Sequence, residues 1–370
     1  MKSPASVVKQ GFLFNLLKLS NGEMEIKVLK AGPGDAILIQ YRGYDDLNHN
    51  ILIDGGSTGE YKKFLHNELE RIFTKKEELD LLVVTHRDND HILGVVELFS
   101  DERLRSLVKK VWFNSNLLIS KMLGKEHKEE DEVPLVISKS NEPNLGFKSA
   151  KTLEKHLLEN KIEWHSSPIT AGYTENIYGL EINVLSPDRR ALQVLNEKDE
   201  AKLGACIPDY GKGVAELLSR TNERDNSLSN KTSLAFRVTL QGLNYLLLGD
   251  APPDIVVQSL RNLGYSASNK ITFEFVKLSH HASNKSLSDE LLEIMNCNKY
   301  IISTNGKRDC LPNKASLSRI LGNPNRALSD HITFFFNYPI SDNIFSEDEK
   351  VEFNFSCVES RLGENGLILI

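Results

Sequence analysis

The run Leu79 to Thr85 (Leu-Asp-Leu-Leu-Val-Val-Thr) leads directly into His86-Arg87-Asp88-Asn89-Asp90-His91. A run this short and apolar reads as a buried β-strand, and Ile92 to Phe99 beyond it has helical character. Two histidines and two carboxylates therefore stand at the turn between a buried strand and a helix. Side chains at such a turn splay around a common point, and this donor set suits zinc or manganese. The plain alternative is a solvated turn in which Asp90 caps the next helix.

Three other strand ends carry the same residue types. Asn50-Ile51-Leu52-Ile53 runs into Asp54-Gly55-Gly56, a sequence that by itself need only make a tight turn. Leu246-Leu247-Leu248 runs into Gly249-Asp250, which fits turn capping as well as metal ligation. Phe275-Val276-Lys277-Leu278-Ser279 delivers His280-His281, an adjacent pair that core packing rarely needs but a surface turn would accommodate. Four strand ends supplying Asp or His suggest one shared site at one edge of a layered core.

The remaining pattern is that of two β-rich halves. Met24 to Leu29, Asp35 to Tyr41 and Asn50 to Gly56 read as strands around turns, with a helix over Tyr61 to Lys75. The second half has strands at Leu180 to Leu185, Ser233 to Leu240, Leu243 to Leu248, Phe273 to Leu278, Tyr300 to Ser303 and Ile332 to Asn337. Such halves fit a four-layer αββα sandwich of the α/β class better than a doubly wound sheet, and no Gly-rich nucleotide fingerprint favours the latter. The chain is read as a single domain over 1–370, with its core at about 25–340. A helical and loop insertion is expected over about 114–170, and a polar surface excursion over 188–231.

With 370 residues, 40% hydrophobic and 26% charged, the composition is that of an ordinary globular protein. No apolar run approaches the ~20 residues that cross a bilayer. The N-terminal run 11–17 is too short for a signal peptide and lacks a cleavage site, so a cytoplasmic location is expected. Four scattered cysteines without a Cys-x-x-Cys pair argue against a disulfide framework and a cysteine-built metal site. A net charge of -6 gives no bulk support to polyanion binding, which would need a local basic patch.

The order of Gly-Pro-Gly-Asp-Ala (32–36), Ile-Asp-Gly-Gly (53–56), the His/Asp cluster (86–91), Gly-Asp-Ala (249–251) and Ser-His-His-Ala-Ser (279–283) resembles metallo-β-lactamase-fold hydrolases. Asp88, where the wider superfamily has a second His, narrows the resemblance to ComEC-type DNA-uptake hydrolase domains and their stand-alone relatives. The resemblance spans about residues 25–340 and implies a metallo-β-lactamase αββα sandwich. It also implies metal-site roles for His86, Asp88, Asp90, His91, Asp250 and His281, with Asp250 bridging two ions. Asp54 would orient a ligand His. Asp90, His280 and His281 would be the catalytic residues: Asp90 would orient the attacking water, and one of the two histidines would serve as ligand or proton donor. A metal-bound hydroxide would be the nucleophile, formed on one or two zinc or manganese ions.

Two positions depart from the family pattern. After Ser303-Thr304-Asn305-Gly306 the expected late His-Pro is Leu311-Pro312, so a second metal would depend on Cys310 or Asp309 nearby. No mid-chain histidine is evident near Ser186-Pro187, and His165 reads as a surface residue. The expected function is a metal-dependent phosphodiesterase or nuclease, with nucleic acid or nucleotide as substrate and no membrane partner. The alternatives are hydrolysis of a small ester, thioester, lactone or cyclic nucleotide, or a metal-poor domain serving a partner protein in a bacterial defence-type system.

Overall fold

Alternating buried and half-exposed positions along Met24–Leu29 leave one apolar face, and that strand opens an antiparallel meander with Ile37–Arg42 and Asn48–Ile53. The structure, a computed structural model, describes residues 24–124, 145–193, 206–218, 227–361 and 363–369. The apolar run 11–17 lies outside the described residues, as do 125–144 of the expected insertion and 194–205 and 219–226 of the expected excursion.

From Asn48–Ile53 the first sheet continues in parallel through Leu81–Val84, Lys110–Phe113 and Glu163–Trp164. The second sheet repeats this plan. Thr174–Ile177, Leu180–Ser186, Ala235–Leu240 and Leu243–Leu247 are antiparallel. Phe275–Lys277, Lys299–Ile302, Ile332–Phe336 and Phe355–Glu359 then follow in parallel. Gly366–Leu369 returns to the first sheet and pairs antiparallel with Met24–Leu29, giving sheets of seven and eight strands.

The period of two along each strand sorts the apolar side chains into layers. Ile51, Val83 and Trp112 face Ile182, Phe236 and Phe275 between the sheets. The outer face of the first sheet, through Leu52, Leu82 and Val111, is covered by helices His66–Thr74, Asn89–Ser100 and Leu145–Glu159. Leu246, Val276 and Phe334 of the second sheet lie under Pro253–Asn262, Asp289–Ile294 and Lys314–Leu321. This is the expected αββα sandwich. Each buried Leu, Ile or Val contributes roughly 1.5–3 kcal/mol, so the strand order rests chiefly on these three apolar layers. Among the described residues no helix is long and apolar enough to cross a membrane.

Several expectations are corrected. The core does not stop near residue 340, because Phe355–Glu359 and Gly366–Leu369 are sheet strands. The segment 114–170 is not wholly an insertion: Ala150, Leu153 and Leu157 bury one face of Leu145–Glu159 in the outer layer. Strand Asn48–Ile53 ends before Asp54, whose φ of 58° breaks the extended chain. A disulfide framework was not expected, and the described residues hold one bond, Cys206–Cys310, with Cα atoms 5.9 Å apart. Their separation of 104 residues hides the pairing from any local spacing rule.

Where the helix Asn89–Ser100 crosses the end of Asn48–Ile53, backbone meets backbone. A Cβ on Gly94 would fall 1.9 Å from the Gly55 carbonyl oxygen, so only glycine allows the approach. That contact sets the height of the helix start, and with it Asp90 and His91.

Candidate metal centre

The ends of the parallel strands of both sheets meet at one edge of the sandwich. Hydrogen bonds tie the sheets together there, among them Leu234 N–H to the Thr85 carbonyl at 2.9 Å and the Ser303 hydroxyl to the Gly34 carbonyl at 2.9 Å. Gly34 lies so close to the cluster that a Cβ there would sit 1.7 Å from the Asp90 carbonyl oxygen.

Of the residues expected from sequence, His86, His91, Asp250 and His281 converge. Asp250 Oδ2 lies 3.7 Å from His86 Nε2, 3.5 Å from His91 Nε2 and 3.7 Å from His281 Nε2. Asp90 Oδ2 is 3.6 Å from His281 Nε2, and Asp88 Oδ2 is 3.6 Å from His86 Nε2. The donors fall into overlapping groups, His86–His91–Asp250 and Asp90–His91–His281, each with ligand atoms within 4.8 Å of one another.

Each ring is fixed through Nδ1. The Thr85 hydroxyl lies 3.0 Å from that of His86, Asp54 Oδ2 lies 2.8 Å from that of His91, and the Ser303 carbonyl lies 2.8 Å from that of His281. This leaves all three Nε2 atoms turned inward, buried and without a hydrogen-bond partner, alongside a similarly orphaned Asp250 Oδ1. Buried polar atoms are ordinarily paired, so their convergence has the form of a cation site. Imidazole nitrogens with carboxylates fit a divalent cation such as zinc, manganese or iron.

Asp54 occupies the place expected of a residue that orients a ligand His. Fully buried, it accepts from Thr85 N–H and the Thr85 hydroxyl, both at 2.7 Å, besides facing His91. His280 and His281 separate in role because His280, His281 and Ala282 all take left-handed φ values of 46°, 54° and 65°. Each costs of order 1–3 kcal/mol. The sharp turn sends His281 into the cluster and leaves His280 on the cleft wall, where Asn230 Nδ2 lies 3.1 Å from its Nδ1.

Burial opposes charge throughout this cluster, but the opposite charges outweigh it. Asp250 and Asp54 hold His91 well above the ordinary histidine range. Asp250, Asp35 and Asp90 bring His281 up to about 9. Conversely, His91, His281 and His280 keep Asp250 well below the usual carboxylate range, and His281, His91 and Arg308 do the same for Asp90. Carboxylates and imidazoles in this cluster therefore favour each other's charged forms.

Several residues here carry no ligand-type signal in the sequence. Ser229 donates its hydroxyl to Asp88, and Ser233 accepts from Asp250 N–H at 3.0 Å. Both lie in or beside the stretch read as polar excursion, so only the fold reveals them. Arg308 Nη1 approaches Asp90 Oδ1 at 3.3 Å. Asp35 pairs with Lys277 under His281. Leu311 lines the cleft beside Arg308 and offers no donor, and the histidines facing Asp90 are His91 and His281 instead. Cys310 cannot stand in for the missing His because its sulfur is bonded to Cys206. His165 is not a surface residue: it is half-buried, edge-on to Trp112 and Tyr173.

Residues 29–174 match the sequence model of the metallo-beta-lactamase superfamily. Its members are mostly metal-dependent hydrolases and bind divalent metals, typically zinc or iron. Comparison with curated proteins gives no match. Among solved structures the chain is similar to the metallo-beta-lactamase fold protein YhfI from Bacillus subtilis, at 11% identity over 94% of this chain and 98% of that one, with a TM-score of 0.41. It is also similar to Zn(2+)-bound PqqB from Methylobacterium extorquens, at 8% identity over 94% and 99% of the two chains, TM-score 0.40. A diphosphatase from the PhnP family gives 11% identity over 94% and 98%, TM-score 0.35.

Proposed function

We propose that this chain is a metal-dependent phosphodiesterase acting on nucleic acid or a nucleotide phosphodiester, in keeping with its motif resemblance to ComEC-type hydrolase domains. The observation that carries the reading is the convergence of three orphaned Nε2 atoms on Asp250 and Asp90. His86, Asp88 and Asp250 would hold one cation, and Asp90, His91 and His281 a second, with Asp250 placed between the two. A divalent cation supplies an activated water at neutral pH and neutralises charge on a phosphoryl oxygen.

The chain's own residues complete the chemistry. Arg308, half-exposed at the cleft and beside Asp90, places a guanidinium where an anionic phosphodiester would approach. The cleft bounded by the described residues measures about 130 Å³. His280, on the cleft wall with Asn230 Nδ2 3.1 Å from its Nδ1, is the residue assigned to pass a proton to the leaving oxygen.

The reading is tested by measuring bound metal after purification without chelator. Single- and double-stranded DNA, RNA, bis(p-nitrophenyl) phosphate and p-nitrophenyl acetate are then assayed with added manganese or zinc. Turnover of phosphodiesters above the acetate is expected. Less than about 0.1 ion per chain after loading, or turnover of the acetate alone, excludes it. His280→Ala is expected to lower kcat on DNA by about a hundredfold or more and to leave metal content unchanged. The loss should be smaller for bis(p-nitrophenyl) phosphate, whose leaving group needs little protonation. Equal losses on both substrates would remove the proton-donor role.

A further inference from the structure

Lys277 has no place in an ordinary strand core. It shares its strand face with Phe275, which packs between the sheets, and its side chain is fully buried. A buried ammonium costs several kcal/mol unless it is paired and fully hydrogen-bonded. Lys277 meets that condition through Asp35 Oδ2 and the Gly249 carbonyl at 3.2 Å. Asp35, equally buried, turns its other oxygen toward His281, with Oδ1 lying 3.6 Å from Nδ1. That oxygen has no hydrogen-bond partner.

We propose that Asp35, locked by Lys277, is a positioning carboxylate for His281 and thereby sets the cation affinity of the Asp90–His91–His281 group. Asp54 bonds His91 Nδ1 directly at 2.8 Å, whereas His281 Nδ1 is held by the Ser303 carbonyl and Asp35 Oδ1 faces the same nitrogen at 3.6 Å, so Asp35 acts through its charge. The first sheet supplies both carboxylates, Asp54 to its own His91 and Asp35 across the sandwich to His281 of the second sheet. When Nε2 of His281 gives its lone pair to a cation, positive charge grows on the ring and its Nδ1–H, and Asp35 Oδ1 faces that charge. Lys277 prevents the carboxylate from rotating away, and through Gly249 ties it to the turn that carries Asp250. A hydrophobic pair of similar volume is often as stable as a buried ion pair, so stability alone gives no reason for lysine here.

This inference rests on reading the cluster as a metal centre, and not on any substrate. The full chain is compared with Asp35→Leu/Lys277→Met, which removes both charges together, and with Asp35→Asn/Lys277→Met, which keeps the shape at 35 and leaves no unpaired ammonium. Zinc content is measured by mass spectrometry, and two zinc affinities by competition with a chelating dye. Each double variant should unfold at the wild-type urea concentration, yet bind one of two zinc ions about 10–100-fold more weakly, the other unchanged. A purely structural pair would lower both affinities together or neither. A variant that binds both ions as wild type does, or loses both equally, overturns the assignment, and the Asn-containing variant decides if the Leu-containing one does not fold. A wild-type chain that binds no zinc removes the metal reading itself, a result distinct from any difference between variants.

Discussion

Asp90→Ala should lower metal-dependent phosphodiester turnover by about a thousandfold or more while leaving the chain folded. Asp90 sits in the first turn of Asn89–Ser100 with its side chain only 12% exposed, between His281 and Arg308. Removing it takes an oxygen donor from one of the two groups and the carboxylate that could orient the attacking water. The cost to stability should be modest, about 1–2 kcal/mol, because Arg308 is half-exposed and returns to water. The measurements are kcat with saturating manganese, ions bound per chain, and urea unfolding. A folded variant with unchanged turnover would refute the site assignment.

Asp54→Ala should have the opposite profile, a loss of stability first. Asp54 makes no approach to the cleft, yet its two oxygens satisfy Thr85 N–H, the Thr85 hydroxyl and His91 Nδ1 in full burial. Truncation leaves three buried groups without that partner, and breaking a buried charged network of this kind costs about 3–5 kcal/mol. Asp54 also holds a left-handed backbone at φ 58°, which alanine tolerates less well than aspartate. Urea unfolding of the metal-free protein reads this directly. A loss below about 1 kcal/mol would mean that the Asp54 network contributes little to holding the two strands and His91 together. Asp90 and Asp54 look alike in the sequence, each a carboxylate after an apolar strand, and the two variants should separate function from scaffold.

The legible part of the fold was the part with local period. Met24–Leu29, Ile37–Arg42 and Leu81–Val84 were recoverable because alternation or a short apolar run is a property of neighbours along the chain. The strands Phe355–Glu359 and Gly366–Leu369 were missed because edge strands bury little and alternate weakly. The helices Pro253–Asn262, Asp289–Ile294 and Lys314–Leu321 were missed because polar positions fill much of each. Only contact with the second sheet separates their apolar stripes from loop.

For the site, the sequence by itself marked the candidate donors, His86, Asp88, Asp90, His91, Asp250 and His281, each within a few residues of an apolar strand end. Strand ends are local features, and ligand-type residues there stand out against an apolar background. Only the tertiary structure decided how these donors are held. Three left-handed residues divide His280 from His281, Ser229 reaches Asp88 from a distant polar stretch, and Cys310 is removed by its bond to Cys206. Lys277 is the sharpest case. Along the strand it looks like an ordinary charged residue, yet its partner Asp35 lies 242 residues away, in the opposite sheet's turn. Local pattern records which face a residue shares with its neighbours; what lies across that face depends on the packing of the two sheets.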